Sequence, residues 1–213
     1  IGIFDSGYGG LTVFDKIREL MPEYDYIYLG DNARAPYGPR SFDVVYRFTR
    51  QAVMRLFAEG CQLVILACNT ASAKALRTIQ QRDLPVWDET RRVLGVIRPT
   101  VELMDRISRS KHVGVVGTAG TIASGSYQIE IAKMFPHIQV TSEACPMWVP
   151  LVENNEFDSP GADYFVRKYL DELFRKDPLI DTLILGCTHY PLLIEKIRRY
   201  VPTGVTLLPQ GEY

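Results

Sequence analysis

The sequence predicts an α/β fold with two pseudo-symmetric, doubly wound parallel-sheet domains that face each other across an active-site cleft. Short apolar segments rich in β-branched residues alternate with longer segments of helical periodicity. This order of segments occurs twice along the chain. Such alternation is typical of a parallel sheet that carries helices on both faces.

The first repeat of this order contains three predicted strands and two predicted helices. The strands are IGIF, YDYIYLG and CQLVILAC, and the helices cover residues 11–20 and 42–59. The second repeat contains the strands HVGVVG, HIQVTS and DTLILGC, with helices over residues 124–134 and 162–175 and a closing helix over residues 192–200. We therefore assign residues 1–97 to the first domain and residues 98–203 to the second. A last strand, GVTLLP, is expected to return, so that residues 204–213 and further C-terminal residues complete the first domain.

The sequences of the two repeats align at their strand ends. GIFDS at residues 2–6 aligns with GVVGT at 114–118, and LACNT at 66–70 aligns with LGCTH at 185–189. Each half therefore places a hydroxyl residue after its first strand and a cysteine after its third. The carboxyl ends of the strands are where open α/β sheets bind ligands. If the halves face each other, Cys68 and Cys187 flank one cleft.

Composition indicates a protein that acts on a small molecule. The 213 residues carry a net charge of -1, so the chain has no overall attraction to nucleic acid or to an anionic membrane. No run approaches the roughly 20 apolar residues that span a bilayer, and we expect a cytoplasmic protein. The four cysteines are too few and too scattered for the disulfide framework of a small secreted domain, which predicts free thiols.

The two matched cysteines carry the chemical hypothesis. Each follows a strand and precedes a helical segment, where backbone N–H groups favour thiolate and are expected to lower the pKa of the thiol. Two such thiols on opposite faces of a carbon acid can remove a proton from one face and return one to the other. The alternative is that Cys68 and Cys187 are buried structural residues. We interpret Cys61 and Cys145 in that way.

Other motifs favour hydrogen bonding over nucleotide, phosphoryl or metal chemistry. IFDSGYGG lacks the G-x-G-x-x-G spacing and the second aspartate of a phosphoryl-transfer site, so Asp5 and Ser6 are expected to bind ligand or to cap the next helix. DNARAPYGPRS is a polar loop of the kind that contacts ligands, although its arginines could be solvated. His189 lies two residues past Cys187, but no further ligands indicate a metal site.

Read in order, six motifs resemble those of bacterial glutamate racemases in the aspartate/glutamate racemase family. They are FDSGYGGLTV, DNARAPYGPRS, ACNTASA, GTAGTIASGSY, CPMWVPLVE and LGCTHYPLL. The resemblance implies a cofactor-independent isomerase in which Cys68 and Cys187 exchange protons with the substrate, assisted by Asp5 and His189 respectively. It implies a substrate-binding set of Asp5, Ser6, Tyr37, Gly38, Asn69, Thr70, Thr118, Thr121, Glu153, Thr188 and His189.

The resemblance also implies a homodimer that supplies D-glutamate for peptidoglycan synthesis. Two features depart from the family pattern: the segment WDETRRVL is interpreted as an insertion, and a C-terminal helix is missing. The alternatives are a racemase of a related amino acid such as aspartate, a non-catalytic binding protein on the same scaffold, and a nucleotide-binding enzyme. The last is disfavoured because its fingerprint is missing.

Overall fold

Two four-stranded parallel sheets form the framework of the protein. The structure is a computed structural model that describes residues 1–211. The first sheet has the order β2-β1-β3-β4, with β1 (Gly2–Asp5), β2 (Ile27–Gly30), β3 (Leu63–Leu66) and β4 (Arg92–Gly95). The second has the order β6-β5-β7-β8, with β5 (His112–Gly117), β6 (Gln139–Ala144), β7 (Thr182–Gly186) and β8 (Thr206–Pro209). The identical strand order confirms the predicted two-fold repeat of an α/β unit.

Helices connect the strands in both halves. The first half contains α1 (Leu11–Leu20), α2 (Phe42–Ala58), α3 (Asn69–Lys74), α4 (Leu76–Thr78) and α5 (Leu84–Trp87). They are followed by α6 (Ile97–Glu102), α7 (Met104–Ile107), α8 (Ala119–Ala123), α9 (Ser126–Met134), α10 (Trp148–Glu153), α11 (Pro160–Lys176) and α12 (Ile194–Tyr200). None of the helices described within residues 1–211 is long and apolar enough to cross a membrane.

The predicted long helices are confirmed, and local signals explain their ends. Ser41 caps α2 by accepting a hydrogen bond from Val44 N, and Ser159 caps α11 in the same way from Ala162 N. The helix expected over 124–134 begins instead at residue 126. Gly125 has a φ of 63°, a left-handed conformation that breaks the segment into α8 and α9.

The structure corrects the expected role of the last strand. β8 pairs in parallel with β7, so residues 206–209 extend the second sheet and do not return to the first. The physical reason is burial, because Leu208 packs into the second half's core with Val113 and Ile184. Residues 212–213 of the segment expected to complete the first domain lie outside the described residues.

The fourth strand of the first sheet comes from the segment that we interpreted as an insertion. WDETRRVL runs into β4, which pairs with β3, and Val93 is buried in the first core. The predicted boundary between residues 97 and 98 stays a prediction. Ile97 and Val101 of α6 pack with the core residue Val113 of the second half.

Burial on both faces explains the almost continuous apolar sequence of the central strands. Val115, Val116, Leu183 and Leu185 are fully buried, as expected for strands covered by helices on each side. Burying each such side chain contributes about 1.5–3 kcal/mol. The central strands β1, β3, β5 and β7 are thereby fixed, and the residues that follow them are held at the same edges of the two sheets.

Asp181 fixes the turn that leads into β5. Its carboxylate accepts hydrogen bonds from Ser108 Oγ at 2.7 Å, Arg109 N at 2.7 Å and Ser110 N at 2.6 Å. Burial raises the pKa of this carboxyl, but the hydrogen bonds, first among them that from Ser110 N, outweigh it and lower the pKa to about 2. The charged form of Asp181 is therefore bound more strongly in the folded state.

We expect Asp181→Asn to lower the free energy of unfolding by about 1–3 kcal/mol, because an amide cannot accept all of these bonds. The contribution of Asp181 is fully present above its ordinary pKa of 3.8 and is lost as the pH falls towards 2. Urea unfolding at several pH values measures both effects. Asp171→Asn is the control, since Asp171 is an exposed partner of Arg167. Equal effects of the two substitutions would contradict the assignment.

Candidate active site

A cavity of about 110 Å³ lies between the two halves. It is formed by residues that directly follow strands of both sheets, as the repeat predicts, together with the loop after β2 and helix α10. Of the predicted site residues, those that line the cavity are Ser6, Tyr37, Gly38, Cys68, Asn69, Thr70, Thr118, Glu153, Cys187, Thr188 and His189.

Cys68 is held at the N-terminus of α3. It is the N-cap residue, and its Sγ accepts a hydrogen bond from Ala71 N at 3.4 Å. The same sulfur lies 3.5 Å from Ser6 Oγ, which follows β1. The thiol is 95% buried but lines the cavity, so it is accessible to a bound ligand and shielded from bulk water.

Cys187 is held in the other half by a histidine and a glutamate. Its Sγ lies 3.7 Å from His189 Nδ1, and His189 Nε2 hydrogen-bonds Glu153 Oε1. Glu153 ends α10, so this contact joins two elements of the second half. The imidazole has a defined partner on each nitrogen, which fixes its orientation beside the thiol.

Asp5 does not line the cavity, although we predicted it as a site residue. It is fully buried, accepts a hydrogen bond from Gly7 N at 2.9 Å and is 3.4 Å from Thr188 Oγ1 of the other half. Burial raises the pKa of the Asp5 carboxyl, an effect that the charge of His189 partly offsets. Asp5 thus lies behind Thr188 and links the two halves.

Three threonine hydroxyls form a cluster across the two halves. Thr70 Oγ1 lies 2.9 Å from Thr118 Oγ1 and 3.3 Å from Thr121 Oγ1, and the last two are 3.1 Å apart. Thr118 also caps α8 by accepting a hydrogen bond from Thr121 N. Thr121 does not itself line the cavity, so it supports the two hydroxyls that do.

The loop after β2 closes one side of the cavity. Tyr37 OH donates a hydrogen bond to Asp31, and Gly38 O accepts one from Gly120 N at 3.0 Å. A side chain at Gly38 would place its Cβ 2.9 Å from Thr118 Cβ, so only glycine allows this close approach. Arg34 pairs with Asp31 and does not line the cavity.

Both thiols have raised pKa values, which corrects our expectation from the sequence. Burial, followed by the charge of Asp5, raises the pKa of Cys68 to about 11, although hydrogen bonds from Ser6 and Ala71 N oppose the shift. Burial also raises the pKa of Cys187 well above its ordinary value. The helix N-terminus is present at Cys68, but loss of solvation and the nearby negative charge outweigh it.

Comparison with known proteins identifies the family. The chain matches the Asp/Glu/Hydantoin racemase family over residues 1–209. The chain belongs to that family. It is 44% identical over 213 residues to the glutamate racemase of Shouchella clausii, a match that covers 100% of this chain and 74% of the relative.

Solved structures agree with this assignment to the racemase family. A glutamate racemase isoform from Bacillus anthracis superposes with a TM-score of 0.90 at 38% identity, covering 98% of this chain and 75% of that one. The Francisella tularensis glutamate racemase in complex with D-glutamate gives a TM-score of 0.86 at 35% identity, covering 97% and 74%. The resemblance and the fold class expected from the sequence are therefore confirmed.

The cavity of this racemase-family chain includes residues that sequence reasoning missed. Cys145 was interpreted as structural; it is fully buried and also lines the cavity. Cys145 is the first residue of the motif CPMWVPLVE, of which only Glu153 was predicted to be a site residue. No three His, Cys, Asp or Glu side chains within residues 1–211 lie together as a metal-binding group. The other lining residues outside the predicted set are Ala35, Pro36 and Pro39 of the loop that was expected to contact ligands, together with Ala119, Pro146, Val149 and Pro150.

We expect Gly9→Ala to lower kcat/KM by about a hundredfold, because a Cβ at Gly9 would lie 2.6 Å from Thr188 Oγ1 and 2.8 Å from His189 Nδ1. The methyl group would displace both residues from Cys187. Steady-state kinetics on both enantiomers of the substrate measures the loss. Gly161→Ala is the matched control, since its nearest neighbour outside the local backbone is Ser159 Oγ at 3.5 Å. Full activity of Gly9→Ala would refute this account of the contact.

Proposed function

We propose that this protein interconverts L- and D-glutamate without a cofactor, using Cys68 and Cys187 as the two acid/base groups. The observation that carries the proposal is the pair of buried thiols that follow equivalent strands and line one cavity from opposite halves. The names of the relatives, which are glutamate racemases at about 44% identity, support glutamate as the substrate.

The reaction needs one thiolate and one thiol. The thiolate takes the α-proton of the bound amino acid, and the electron pair of the C–H bond remains on the α-carbon. The second thiol then donates its proton to the opposite face, which inverts the stereocentre. The two sulfurs have exchanged protonation states at the end of the turnover, so the enzyme is ready to act on the product enantiomer.

Asp5 and His189 are proposed to assist the two thiols separately. The negative charge of Asp5 raises the pKa of Cys68, which makes a thiolate formed there a stronger base, whereas His189 lies 3.7 Å from Cys187 and is oriented by Glu153. An imidazole beside a sulfur can stabilise the thiolate or exchange a proton with it. The two halves therefore support the same chemistry with different groups.

Neutral donors are proposed to bind the two carboxylates of glutamate. Within the described part of the chain, residues 1–211, no lysine or arginine lines the cavity; hydroxyls of Ser6, Thr70, Thr118 and Thr188 and the backbone around Tyr37 and Gly38 are present instead. Preorganised neutral donors stabilise developing negative charge in a water-poor site without moving during the reaction. They suit the weakly acidic α-carbon, whose carbanion-like transition state needs such stabilisation.

We expect the protein to racemise L-glutamate in D2O without added cofactor and to incorporate deuterium at the α-carbon. Cys68→Ser and Cys187→Ser should each lower the rate by about a hundredfold or more, since a serine hydroxyl is a far weaker acid than a thiol. Circular dichroism and proton NMR measure the two processes. Cys61→Ser is the matched control, because Cys61 is buried in the first core away from the cavity.

The same assay separates the alternatives. Turnover of aspartate and not of glutamate would show that the protein is an aspartate racemase. Binding of either amino acid without turnover would favour a non-catalytic binding protein. Full activity of both cysteine variants would eliminate the two-thiol mechanism.

We expect kcat/KM to rise about tenfold per pH unit between about pH 7 and pH 9. The reactive base is a thiolate, and the raised pKa of about 11 at Cys68 makes it the minor form throughout this range. Raising the pH towards that pKa increases the fraction of free enzyme with one thiolate. Initial rates at constant ionic strength measure the slope. A flat profile would indicate that a thiolate is already formed at neutral pH.

The cellular role is proposed from the same resemblance. D-glutamate made by this protein would feed peptidoglycan synthesis in the cytoplasm, and the protein would act as a homodimer. Analytical ultracentrifugation of the purified protein, with and without L-glutamate, tests the oligomeric state.

A further inference from the structure

Tyr127 lies behind the cavity and touches one of its lining residues. It belongs to α9, is 1% exposed and does not line the cavity itself. Its hydroxyl oxygen accepts a hydrogen bond from Asn69 Nδ2 at 2.9 Å and another from Gln210 Nε2 at 3.2 Å. Asn69 follows Cys68 and lines the cavity, so a residue of the second half holds a cavity residue of the first.

The other end of the Asn69 side chain has no partner. Asn69 is 98% buried, and within residues 1–211 its Oδ1 is one of a few buried side-chain atoms without a hydrogen bond. An unsatisfied buried acceptor costs about 1–3 kcal/mol, which a ligand donor would recover. With one N–H of Nδ2 engaged by Tyr127, Oδ1 is the side-chain acceptor that Asn69 has left for a ligand donor.

The tyrosine is fixed on several sides. Gln210 Oε1 lies 3.3 Å from Thr100 Oγ1, which anchors the amide to α6. A Cβ at Gly186, directly before Cys187, would lie 3.2 Å from Tyr127 Cε2, so the ring packs closely on the end of β7. Burial raises the pKa of the Tyr127 phenol, which stays neutral and can accept the Asn69 N–H bond.

We propose that Tyr127 is a positioning residue that orients the Asn69 amide so that Oδ1 accepts a hydrogen bond from the α-ammonium group of the substrate. The inference rests on the proposed function. An amide oxygen can pair only with a hydrogen-bond donor, and both carboxylates of glutamate are acceptors only. The ammonium group is therefore the part of glutamate that can bind Asn69 Oδ1. Without the tyrosine hydroxyl, a half turn of the amide would exchange acceptor and donor.

The test compares glutamate with glutarate, which has the same two carboxylates and no ammonium group. Tyr127→Phe is expected to raise KM for L-glutamate about tenfold, with kcat within about twofold, because the contact is equal in the ground and transition states. The inhibition constant of glutarate should stay unchanged. Tyr190→Phe is the matched control, since Tyr190 is fully buried and its hydroxyl has no partner within residues 1–211.

A double-mutant cycle shows whether Tyr127 acts through Asn69. In the Asn69→Ala background, Tyr127→Phe should leave KM unchanged, because the group that it positions is already absent. An unchanged KM in the single Tyr127→Phe variant, or a weakening of glutarate equal to that of glutamate, would overturn the inference. A further rise in KM in the Asn69→Ala background would also overturn it.

Failure of the Tyr127 inference can be distinguished from failure of the proposed function. Wild-type protein that does not racemise glutamate refutes the proposed function, and calorimetric dissociation constants of glutamate and glutarate for the same variants then decide the role of Tyr127. Equal binding of glutamate by wild type and Tyr127→Phe, or no binding by wild type, would overturn it.

Discussion

The site depends on the convergence of two sets of parallel strand ends. The central strands β1, β5 and β7 are buried on both faces and β3 is buried on one, and the carboxyl ends of all four point to the same cavity. Ser6 and Cys68 follow β1 and β3, and Thr118 and Cys187 follow β5 and β7. The chemistry of the cavity is therefore set by four short turns whose positions are fixed by the cores beneath them.

Burial has opposite effects on the two requirements of such a site. It excludes water and so strengthens every hydrogen bond to a bound ligand. It also raises the pKa of both thiols and of Asp5, because each loses solvation as an anion. The hydrogen bonds at Cys68 and the backbone N–H of His189 at Cys187 oppose this rise in the thiol pKa values.

Sequence reasoning was accurate where the signal was local or repeated. The strand-end alignment placed Ser6, Thr118 and both cysteines at the cavity, and periodicity placed α1, α2 and α11. It was wrong about residues 206–209, because strand partners depend on which core buries Leu208, and no local pattern encodes that. It misjudged the thiol pKa values for a related reason. A helix N-terminus can be recognised in the sequence, whereas the depth of burial and the proximity of Asp5 are tertiary properties.

The hydroxyl cluster of Thr70, Thr118 and Thr121 joins the two halves through neutral hydrogen bonds. If a ligand enters or leaves by separation of the halves, the Thr70 contacts must open, together with the Gly120 N to Gly38 O bond. Neutral hydroxyls that part from each other are rehydrated, so each bond contributes only about 0.5–1.5 kcal/mol net. Neutral hydrogen bonds thus define how the two halves meet, and because each contributes little net free energy, separating the halves would cost little.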